Sequence, residues 1–479
     1  MKKFLITELA RIIKAHKPQV TPRDALRSSR KQRATSHEFF TGVSIDSRTT
    51  KAGDCFFAIK GDKFDGHDFI SDAFKKGAAC AVVSKGNESK KFSDGCILRV
   101  DETIEALGHL AREYRRRMSF KVVAITGSVG KTTTRQIAYH VLSQRFHTCQ
   151  APKNFNNNIG LPLTLLLSEP EDEVVVAEIG TSSPGEIACL TGIALPDVAV
   201  VTNVHPAHLA GFGDLQTIVK EKLSIAEGLR NDGVLIINGD YDRLVDTCRA
   251  KGIKFITFGK SDRCDIRAKN ITYKANGSQF TVDGTQVMLP LPGPGNVENA
   301  LAAWSVCSRL GIDIVSFARA VTTLRAVPMR AELLQIGTLT VLNDCYNANP
   351  ASMRNALDIL ANLGGSGTPE SVENPRRVFI CGDMAELGLQ ASSLHAELGS
   401  FIAQAKIQLL LAVGKLAKTA AMAAKTGAKY QLQVNCFEDA ASVCNNLKGL
   451  IKNYDIILVK GSRAAKLEMV VDKLKELFS

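Results

Sequence analysis

The chain lacks the long apolar runs and the paired cysteines that mark membrane-spanning and secreted proteins. No run approaches the roughly 18 apolar residues that span a bilayer, and the first apolar run, FLI, is shorter than the ~7–15 residues of a signal peptide. The twelve cysteines stand singly without a C-x-x-C pair, so neither a zinc cluster nor a disulfide framework is indicated. We therefore expect a cytoplasmic protein with free thiols that is not an integral membrane protein, and we predict an initial helix over residues 7–17.

Aromatic residues are also scarce, at 6% of the chain, although the net charge is +12. Basic residues gather in the segment 23–33 and at Arg115, Arg116 and Arg117. Neither cluster is interleaved with aromatic residues that could stack on bases. We interpret both clusters as solvated arms or linkers and expect no nucleic-acid partner.

Three regions are visible in the succession of strand-like and helix-like segments, and we place them at 1–118, 119–327 and 328–479. In the central region, short runs rich in Val and Ile alternate with helical segments, which is typical of a parallel sheet covered on both faces. The runs between residues 254 and 293 contain Asn-Gly and Asp-Gly turns and are predicted to be antiparallel strands. Strands and helices alternate again in the last region, so the predicted fold class is α/β.

The segment TGSVGKTTT (126–134) is the strongest local motif. The strict phosphate-loop pattern requires Gly six residues before the lysine, where this chain has Ile125. The segment nevertheless follows a predicted buried strand and opens a predicted helix, so its backbone N–H groups and the helix dipole can hold phosphate oxygens. Lys131 can reach the terminal phosphates, and the hydroxyl of Thr132 suits Mg²⁺. The motif predicts a nucleotide site with a shortened loop.

Polar residues follow two further strands of the predicted sheet. Glu178 ends the run VVVAE, while His205 and His208 follow VAVV in the segment TNVHPAH. Ligands of open α/β sheets bind beyond the carboxyl ends of strands, so a carboxylate there can hold a metal. The chain contains no N-K-x-D guanine-reading motif, which favours ATP over GTP.

These motifs together resemble the Mur ligases, the ATP-dependent amide-bond-forming enzymes of peptidoglycan synthesis. The loop T-G-x-x-G-K-T is similar to that of the family, and the remaining similar segments stand in the family's order over most of the chain. They are SIDSR (44–48), GDCFFAIKGDKFDGHDFI (53–70), NFNNNIGLPLTLL (154–166), TNVHPAHLAGFG (202–213), GNVENA (295–300), LNDCYNANPASM (342–353), GDMAELG (382–388) and LVKGSR (458–463).

The resemblance implies three domains: a small N-terminal α/β domain that holds the UDP end of the substrate, a central P-loop ATPase domain and a Rossmann-like C-terminal domain. The segments YNANP and GDMAELG resemble those of the family member that adds D-alanyl-D-alanine to UDP-N-acetylmuramoyl-tripeptide. In that reaction ATP phosphorylates the terminal carboxylate, and the amine of D-alanyl-D-alanine attacks the acyl phosphate. The implied cofactors are ATP and Mg²⁺, and we expect a monomer.

The resemblance also implies roles for individual residues. The catalytic group comprises Lys131, Glu178, His208 and Lys222, and Mg²⁺ is expected at Thr132, Glu178, His208 and, if carbamylated, Lys222. ATP is expected to contact Thr126, Gly127, Ser128, Val129, Gly130, Lys131, Thr132, Thr133, Asn296, Asn299, Arg330, Asp344 and Tyr346. The other substrates are expected at Ser47, Arg48, Lys60, Gly61, Asn154, Asn157, Asn158, Thr181, Asn347 and Asn349.

Several departures from the family pattern and several alternatives stay open at this point. Thr181 and Ser182 replace the usual Ala-Asn, and His205 stands where Gly is more common and could crowd the metal. The third peptide residue, diaminopimelate or lysine, is undecided. Alternative functions are a tripeptide-forming or folylpolyglutamate-type ligase, a nucleic-acid-associated ATPase, or a non-catalytic UDP-sugar binder.

Overall fold

The computed structural model describes residues 1, 3–20, 38–86, 95–152, 154–364 and 375–479. The basic segment 23–33 and most of the predicted loop 364–377 lie outside these ranges. The predicted α/β class with mostly parallel sheets is confirmed, because each of the three largest sheets is parallel except for one edge strand at most.

The N-terminal region is built around two short strands, 54–57 and 80–84, whose side chains are almost all buried. Its elements are β1 (Phe4–Leu5), α1 (Ile6–Ile12), β2 (His16–Val20), β3 (Phe39–Phe40), β4 (Gly42–Ser44), β5 (Asp54–Phe57), a 3-10 helix (Gly66–Phe69), α2 (Ile70–Lys75), β6 (Cys80–Ser84), β7 (Cys96–Val100) and α3 (Thr103–Arg117). The sheet order is β2-β7-β6-β5-β4, with β2 antiparallel to β7 and the other pairs parallel. The predicted helix over 7–17 is wrong at its end, because the chain leaves the helix after Ile12 and pairs as β2.

The central region contains the predicted parallel sheet, which has seven strands, and a small antiparallel sheet. Its elements are β8 (Lys121–Thr126), α4 (Lys131–Leu142), β9 (Thr148–Gln150), α5 (Gly160–Leu167), β10 (Val174–Glu178), α6 (Glu186–Ala194), β11 (Val198–Val201), α7 (Leu209–Phe212), α8 (Leu215–Leu223), a 3-10 helix (Ser224–Gly228), β12 (Val234–Asn238), α9 (Asp242–Ala250), β13 (Phe255–Gly259), β14 (Ile266–Arg267), β15 (Lys269–Lys274), β16 (Gly277–Val282), β17 (Thr285–Leu289), α10 (Pro294–Arg309) and α11 (Ile314–Val321). The order of the large sheet is β14-β13-β12-β11-β8-β10-β9.

Strand β8 shows why the sheet is covered on both faces. Val122 and Ala124 enter one hydrophobic core, while Val123 and Ile125 enter the core on the opposite face. Successive side chains of a strand alternate between faces, so a continuous apolar run requires apolar partners on each side.

One prediction for this region needs correction. The run Phe255–Gly259 was expected to be antiparallel, but it extends the large sheet in parallel to β12, and Ile266–Arg267 follows in parallel. Among the described strands of this region, only β15, β16 and β17 pair in antiparallel fashion, and Asp283 and Gly284, both with positive φ, form the turn between the last two. A short apolar strand does not reveal the direction of its neighbour, whereas the Asp-Gly turn does indicate a hairpin.

The C-terminal region repeats the alternation of strands and helices. Its elements are β18 (Glu332–Ile336), β19 (Leu339–Asn343), α12 (Pro350–Asn362), β20 (Arg377–Gly382), a 3-10 helix (Gly388–Gln390), α13 (Ala391–Gln404), β21 (Leu409–Val413), α14 (Lys415–Gly427), β22 (Gln433–Phe437), α15 (Ala440–Leu450), β23 (Ile456–Lys460), a 3-10 helix (Arg463–Ala465) and α16 (Glu468–Phe478). The sheet order is β18-β19-β23-β20-β21-β22, and only β18 is antiparallel.

The interpretation of the arginine run as a solvated arm is wrong for Arg115. Its side chain is buried, and its guanidinium donates to Asp197 Oδ2 at 2.7 Å and to the carbonyl oxygens of Ala194, Leu195 and Phe120. Arg115 therefore ties α3 to the start of β11 in the central sheet.

Candidate active site

A cleft of about 1340 Å³ lies between the carboxyl edge of the central sheet and the C-terminal region. It brings together most of the predicted site residues, although they are spread over more than two hundred positions of the chain. The predicted residues that line it are Ser128, Val129, Gly130, Lys131, Thr132, Thr133, Asn154, Asn157, Asn158, Glu178, Thr181, His208, Asn296, Asn299, Arg330, Asp344, Tyr346, Asn347 and Asn349.

The phosphate loop lies between β8 and α4, at the centre of the sheet edge. Since β11 and β10 flank β8, the segments that follow these three strands meet at one place. Asn203 holds the loop from one side: its Oδ1 accepts from the Val129 N–H at 2.9 Å, and its carbonyl accepts from the Ser128 N–H at 3.1 Å.

Two glycines are required by the packing of this loop. Gly127 has φ +149 and Gly130 has φ +86, a region that L side chains rarely adopt. A Cβ at Gly127 would lie 1.9 Å from the Thr202 hydroxyl, and one at Gly130 would lie 2.0 Å from Asn299 Oδ1. The loop is therefore a close-packed cradle whose backbone cannot carry side chains at these positions.

Lys131 opens α4 directly after Gly130, and its ammonium donates to the Gly127 carbonyl at 2.7 Å. Burial lowers the pKa of Lys131, the carboxylate of Glu178 partly opposes this effect, and Arg330 adds to the lowering. The lysine thus brings a positive charge into the cleft at a place where desolvation makes it costly unless an anion binds.

Glu178 is the buried carboxylate of the site, at 2% exposure. Its Oε2 accepts from the Thr132 hydroxyl at 2.8 Å, and its Oε1 accepts from Asn156 Nδ2 at 2.9 Å. Burial alone would raise the pKa of Glu178, but the cations of Lys131, Arg330 and Arg135 outweigh it, and the pKa is lowered. Glu178 is therefore ionised and able to bind a cation.

The pair Thr132 and Glu178 fits a magnesium ion. Both side chains offer oxygen atoms 2.8 Å apart beside the phosphate loop, and Mg²⁺ prefers few protein oxygens together with phosphate oxygens and water. Within the described ranges, no group of three or more His, Cys, Asp or Glu residues could hold a metal by itself. A metal here would therefore depend on the nucleotide for further ligands.

Lys222 lies on α8 with 2% exposure and is not among the residues that line the cleft. Burial shifts the pKa of Lys222 well below its usual value, and the charge of Lys131 lowers it further. The amine is therefore easily deprotonated, unlike that of a solvated helix lysine.

The neighbouring Glu221 organises the loop that contains the departure at Thr181 and Ser182. Its carboxylate accepts from the backbone N–H groups of Gly185 and Ile187 at 2.7 and 2.8 Å, and from the Thr181 hydroxyl at 3.2 Å. The Thr181 hydroxyl lies nearer still to the Ser183 carbonyl oxygen, at 2.9 Å, so it is engaged within the loop as well as by Glu221, although the residue lines the cleft.

The two histidines after β11 contact different partners. The Tyr241 hydroxyl lies 2.7 Å from His205 Nε2, and the two rings pack edge to face. Burial lowers the pKa of His205 to about 4, so this ring is neutral at pH 7. His208 instead binds the carboxylate of Glu386 from the C-terminal region through Nδ1. His205 is thus held by Tyr241 while His208 contacts another region of the molecule.

The side-chain amides of Asn296 and Asn299, at the start of α10, form hydrogen bonds with other groups of the protein. Asn296 Nδ2 donates to the Pro292 carbonyl at 2.8 Å, and Asn299 Nδ2 donates to Asn296 Oδ1 at 3.2 Å. The Thr134 hydroxyl donates to Asn299 Oδ1 at 3.3 Å. Both asparagines line the cleft, so they combine a structural role at the helix start with a place beside the phosphate loop.

The C-terminal wall of the cleft is organised by Lys460, at the end of β23. Its ammonium donates to Asp344 Oδ2 at 2.6 Å and to the Asn347 carbonyl at 3.0 Å. The Arg330 guanidinium lies over the Tyr346 ring, 4.1 Å from its centroid, and so faces the cleft beside that wall. Asn349 caps α12 by accepting from the Ser352 N–H at 2.9 Å.

The predicted residues of the UDP side lie apart from this cleft. Arg48 forms an ion pair with Asp46 at 2.7 Å, Ser47 is buried, and Lys60 and Gly61 begin a turn. A smaller cavity of about 220 Å³ lies where Ile45 of the N-terminal region meets the central region. Its other lining residues are Asn154, Phe155, Asn157, Ile159, Gly160 and Leu163. Thr126, Gly127 and Lys222 are also absent from the lining of the large cleft.

Sequence reasoning missed four residues that shape the site: Asn156, Glu221, Lys460 and Glu386. Asn156 stood within the quoted asparagine run and Lys460 within LVKGSR, so a signal existed for both. Glu221 precedes Lys222 on a helix, and nothing in its local sequence distinguishes it from a solvated glutamate. Glu386 lay within GDMAELG without an assigned role.

Comparison with family models matches three parts of the chain. Residues 39–115 match the catalytic domain of the Mur ligase family, residues 125–307 the Mur ligase middle domain, and residues 329–463 the Mur ligase glutamate ligase domain. No helix within the described residues is both long and apolar enough to cross a membrane.

Individual relatives give the same result. The chain is 34% identical over 442 residues to the UDP-N-acetylmuramoyl-tripeptide–D-alanyl-D-alanine ligase of Bacillus subtilis, covering 91% of this chain and 93% of that protein. A crystal structure of MurF from Acinetobacter baumannii matches with a TM-score of 0.85, 27% identity and 99% coverage of both chains. MurF ligase from Thermotoga maritima, solved in complex with ADP, matches with a TM-score of 0.78 and 27% identity over 93% of this chain and 99% of that one.

Proposed function

The chain belongs to the Mur ligase family, and from this we propose that it is an ATP-dependent ligase joining D-alanyl-D-alanine to UDP-N-acetylmuramoyl-tripeptide. The observation that carries the proposal is the cleft in which the phosphate loop faces the C-terminal segment Tyr346–Asn349. The terminal phosphoryl group of ATP passes to the tripeptide carboxylate, and ADP leaves. The amine of the dipeptide then attacks the acyl phosphate, forming the amide and releasing phosphate and a proton.

The first step brings an anionic carboxylate to an anionic triphosphate, so the protein must supply positive charge. Lys131 and the N–H groups of the loop supply it from one side. Arg330 lies near enough to Lys131 and Glu178 to affect the pKa of each, and it supplies charge from the other side. Tyr346 holds the Arg330 guanidinium against its ring and thereby positions it.

Thr132 and Glu178 are the proposed holders of the magnesium ion that accompanies ATP, and His208 and a carbamylated Lys222 those of a second ion. Such ions neutralise phosphate charge and orient the transferring group. Thr132 donates its hydroxyl hydrogen to Glu178, so its oxygen lone pairs are available to a cation. The lowered pKa of Lys222 suits carbamylation, because only the neutral amine reacts with carbon dioxide.

The remaining assignments belong to the same proposal. We assign Asn296 and Asn299 to the adenine side and Asp344 to the ribose and phosphates, and all three line the cleft. The residues assigned to the other substrates are Ser47, Arg48, Lys60, Gly61, Asn154, Asn157, Asn158, Thr181, Asn347 and Asn349. We also propose a division into domains at 1–118, 119–327 and 328–479, a monomeric state and a cytoplasmic location.

A phosphate-release assay across substrate panels tests the proposal. The panel combines UDP-muramoyl peptides ending in diaminopimelate or lysine with single amino acids, D-alanyl-D-alanine and L-alanyl-L-alanine. We expect release only with a tripeptide and D-alanyl-D-alanine together, and its loss of at least about 10³-fold in Lys131→Ala, consistent with removal of a principal charge-stabilising group.

The same assay separates the alternatives when a UDP-muramoyl dipeptide, folates and nucleic acids are added to the panel. Turnover with a dipeptide substrate and a single amino acid would indicate a tripeptide-forming ligase, and turnover with folates a folylpolyglutamate-type enzyme. Phosphate release that DNA or RNA stimulates, without any requirement for D-alanyl-D-alanine, would overturn the proposal. A folded Lys131→Ala variant with full activity would remove the role given to this lysine.

A further inference from the structure

Glu386 links the C-terminal region to the central region at the cleft. Its carboxylate binds His208 Nδ1, and its carbonyl oxygen accepts from the Ala210 N–H at 3.1 Å. A Cβ on Gly388 would lie 3.2 Å from the Ala210 Cα, so the two segments also touch through their backbones. We call this set of contacts, between residues 208–210 and 386–388, the clasp.

The backbone positions both partners of the clasp. His208 has φ +54 and Glu386 has φ +61, values that few residues other than glycine adopt. The Ala210–Glu386 backbone hydrogen bond fixes the segment from which the carboxylate projects. The contact between the two side chains therefore depends on how the C-terminal region is docked, and not only on a choice of rotamer.

The chemistry of the contact determines what His208 can do. A carboxylate oxygen only accepts hydrogen bonds, so Nδ1 carries the hydrogen, and in the neutral ring Nε2 retains its lone pair. Histidines that bind metals usually donate their other N–H to a carboxylate or carbonyl, which fixes the ring and raises its basicity. His208 and Glu386 both line the cleft that contains Lys131, Thr132 and Glu178.

We propose that Glu386 is a positioning residue that presents Nε2 of His208 to a divalent cation, so that docking of the C-terminal region completes the metal site. The inference rests on the metal role proposed above for His208. It adds that the carboxylate of Glu386, from a different region of the chain, orients the His208 ring for metal binding. Glu386 itself binds no substrate in this scheme.

Manganese binding provides a readout that is independent of turnover. Free Mn²⁺ is measured by electron paramagnetic resonance while it is titrated into full-length enzyme with a non-hydrolysable ATP analogue and UDP-N-acetylmuramoyl-tripeptide. Loss of a group that orients a metal ligand typically weakens metal binding 10–100-fold. We expect Glu386→Ala to weaken the second Mn²⁺ by about 10-fold or more. Glu386→Gln, whose amide oxygen still accepts from Nδ1, should have a smaller effect.

Three controls make the result decisive. His208→Ala should lose the second Mn²⁺, and Glu438→Ala, an exposed carboxylate of the same region outside the cleft, should bind as the unaltered protein does. Thermal unfolding checks that each variant is folded. In steady-state assays Glu386→Ala should raise the Mg²⁺ concentration needed for half-maximal rate and leave KM for D-alanyl-D-alanine unchanged.

Two outcomes would overturn the proposal. Unchanged or tighter Mn²⁺ binding by Glu386→Ala, while His208→Ala loses the ion, would show that Glu386 does not position the ligand. Unchanged binding in both variants would remove His208 from the metal site and the inference with it. Ligase activity of the unaltered protein is measured separately, so either result is distinguishable from a failure of the proposed function.

Discussion

Lys222 illustrates how burial, rather than residue type, decides what a side chain can do. A lysine on a helix is usually solvated, but this one is 2% exposed and lies near Lys131 and Glu221. Burial disfavours its charged form, so the folded-state pKa lies well below the unfolded value near 10.4. As pH rises, the neutral amine therefore appears earlier in the folded protein than on a surface lysine.

This shift leads to a prediction about carbamylation. With ¹³C-labelled bicarbonate near neutral pH, we expect a carbamate signal in the unaltered protein and its absence in Lys222→Arg, together with a loss of ligase activity of at least about 10²-fold, consistent with removal of a metal ligand. Lys220→Arg, two residues away and exposed, is the matched control and should keep both signal and activity. An active enzyme without a labelled carbamate would contradict the prediction.

At the scale of elements, the phosphate loop was predictable because its determinants are contiguous. A buried strand, two glycines, a lysine and a helix start lie within residues 121–142, and the structure has β8, the loop and α4 there. The direction of β13 was not predictable in the same way, because its parallel pairing depends on β12 and on the crossover through α9. A five-residue apolar run contains no information about which neighbour it will join.

Gly130 and Gly185 provide a matched test of the loop. Both precede a helix with similar positive φ, +86 and +89, but a Cβ on Gly130 would lie 2.0 Å from Asn299 Oδ1, whereas at Gly185 nothing lies within 4 Å. We expect Gly130→Ala to raise KM for ATP at least about 10-fold, because a clash and a strained backbone together cost a few kcal/mol. Gly185→Ala should have a smaller effect, because it introduces the backbone strain without a clash.

KM for ATP is measured for both variants by varying the ATP concentration in the phosphate-release assay. Circular dichroism checks that each variant is folded. Equal effects of the two substitutions on ATP binding would mean that backbone strain, and not the contact with Asn299, accounts for the requirement for glycine.

At the scale of the whole molecule, a few long-range contacts join the outer regions to opposite edges of the central sheet. Arg115 joins α3 to Asp197, which also accepts from the Val122 N–H at 2.8 Å and pairs with Lys121. Glu386 joins the C-terminal region to His208. The N-terminal and C-terminal regions are thus both anchored to segments next to strands β8 and β11 of the central sheet.

Of the three arginines at 115–117, Arg115 should therefore contribute most to the stability of the protein. Arg115→Met removes the donor to the Ala194, Leu195 and Phe120 carbonyls, while Asp197 keeps Lys121 and the Val122 N–H, and a buried acceptor left unsatisfied typically costs about 1–3 kcal/mol. We expect Arg115→Met to lower the free energy of unfolding by an amount of this order, and Arg116→Met, on the exposed face of the same helix, to change it by less than about 0.5 kcal/mol. Urea unfolding monitored by circular dichroism compares the two variants, and similar effects would argue against the buried pair.

The amino-acid sequence by itself determined the α/β class, the nucleotide loop and the family, because alternation patterns and contiguous motifs are local properties. Only the tertiary structure decided that Arg115 is buried, that Asn156 and Thr132 share Glu178, and that Glu386 reaches His208. Glu386 and His208 are separated by 178 residues, and the order of the strands and the docking of the regions bring them together. A local pattern specifies the conformation of its own segment, whereas the partner of a charged side chain depends on how distant segments pack.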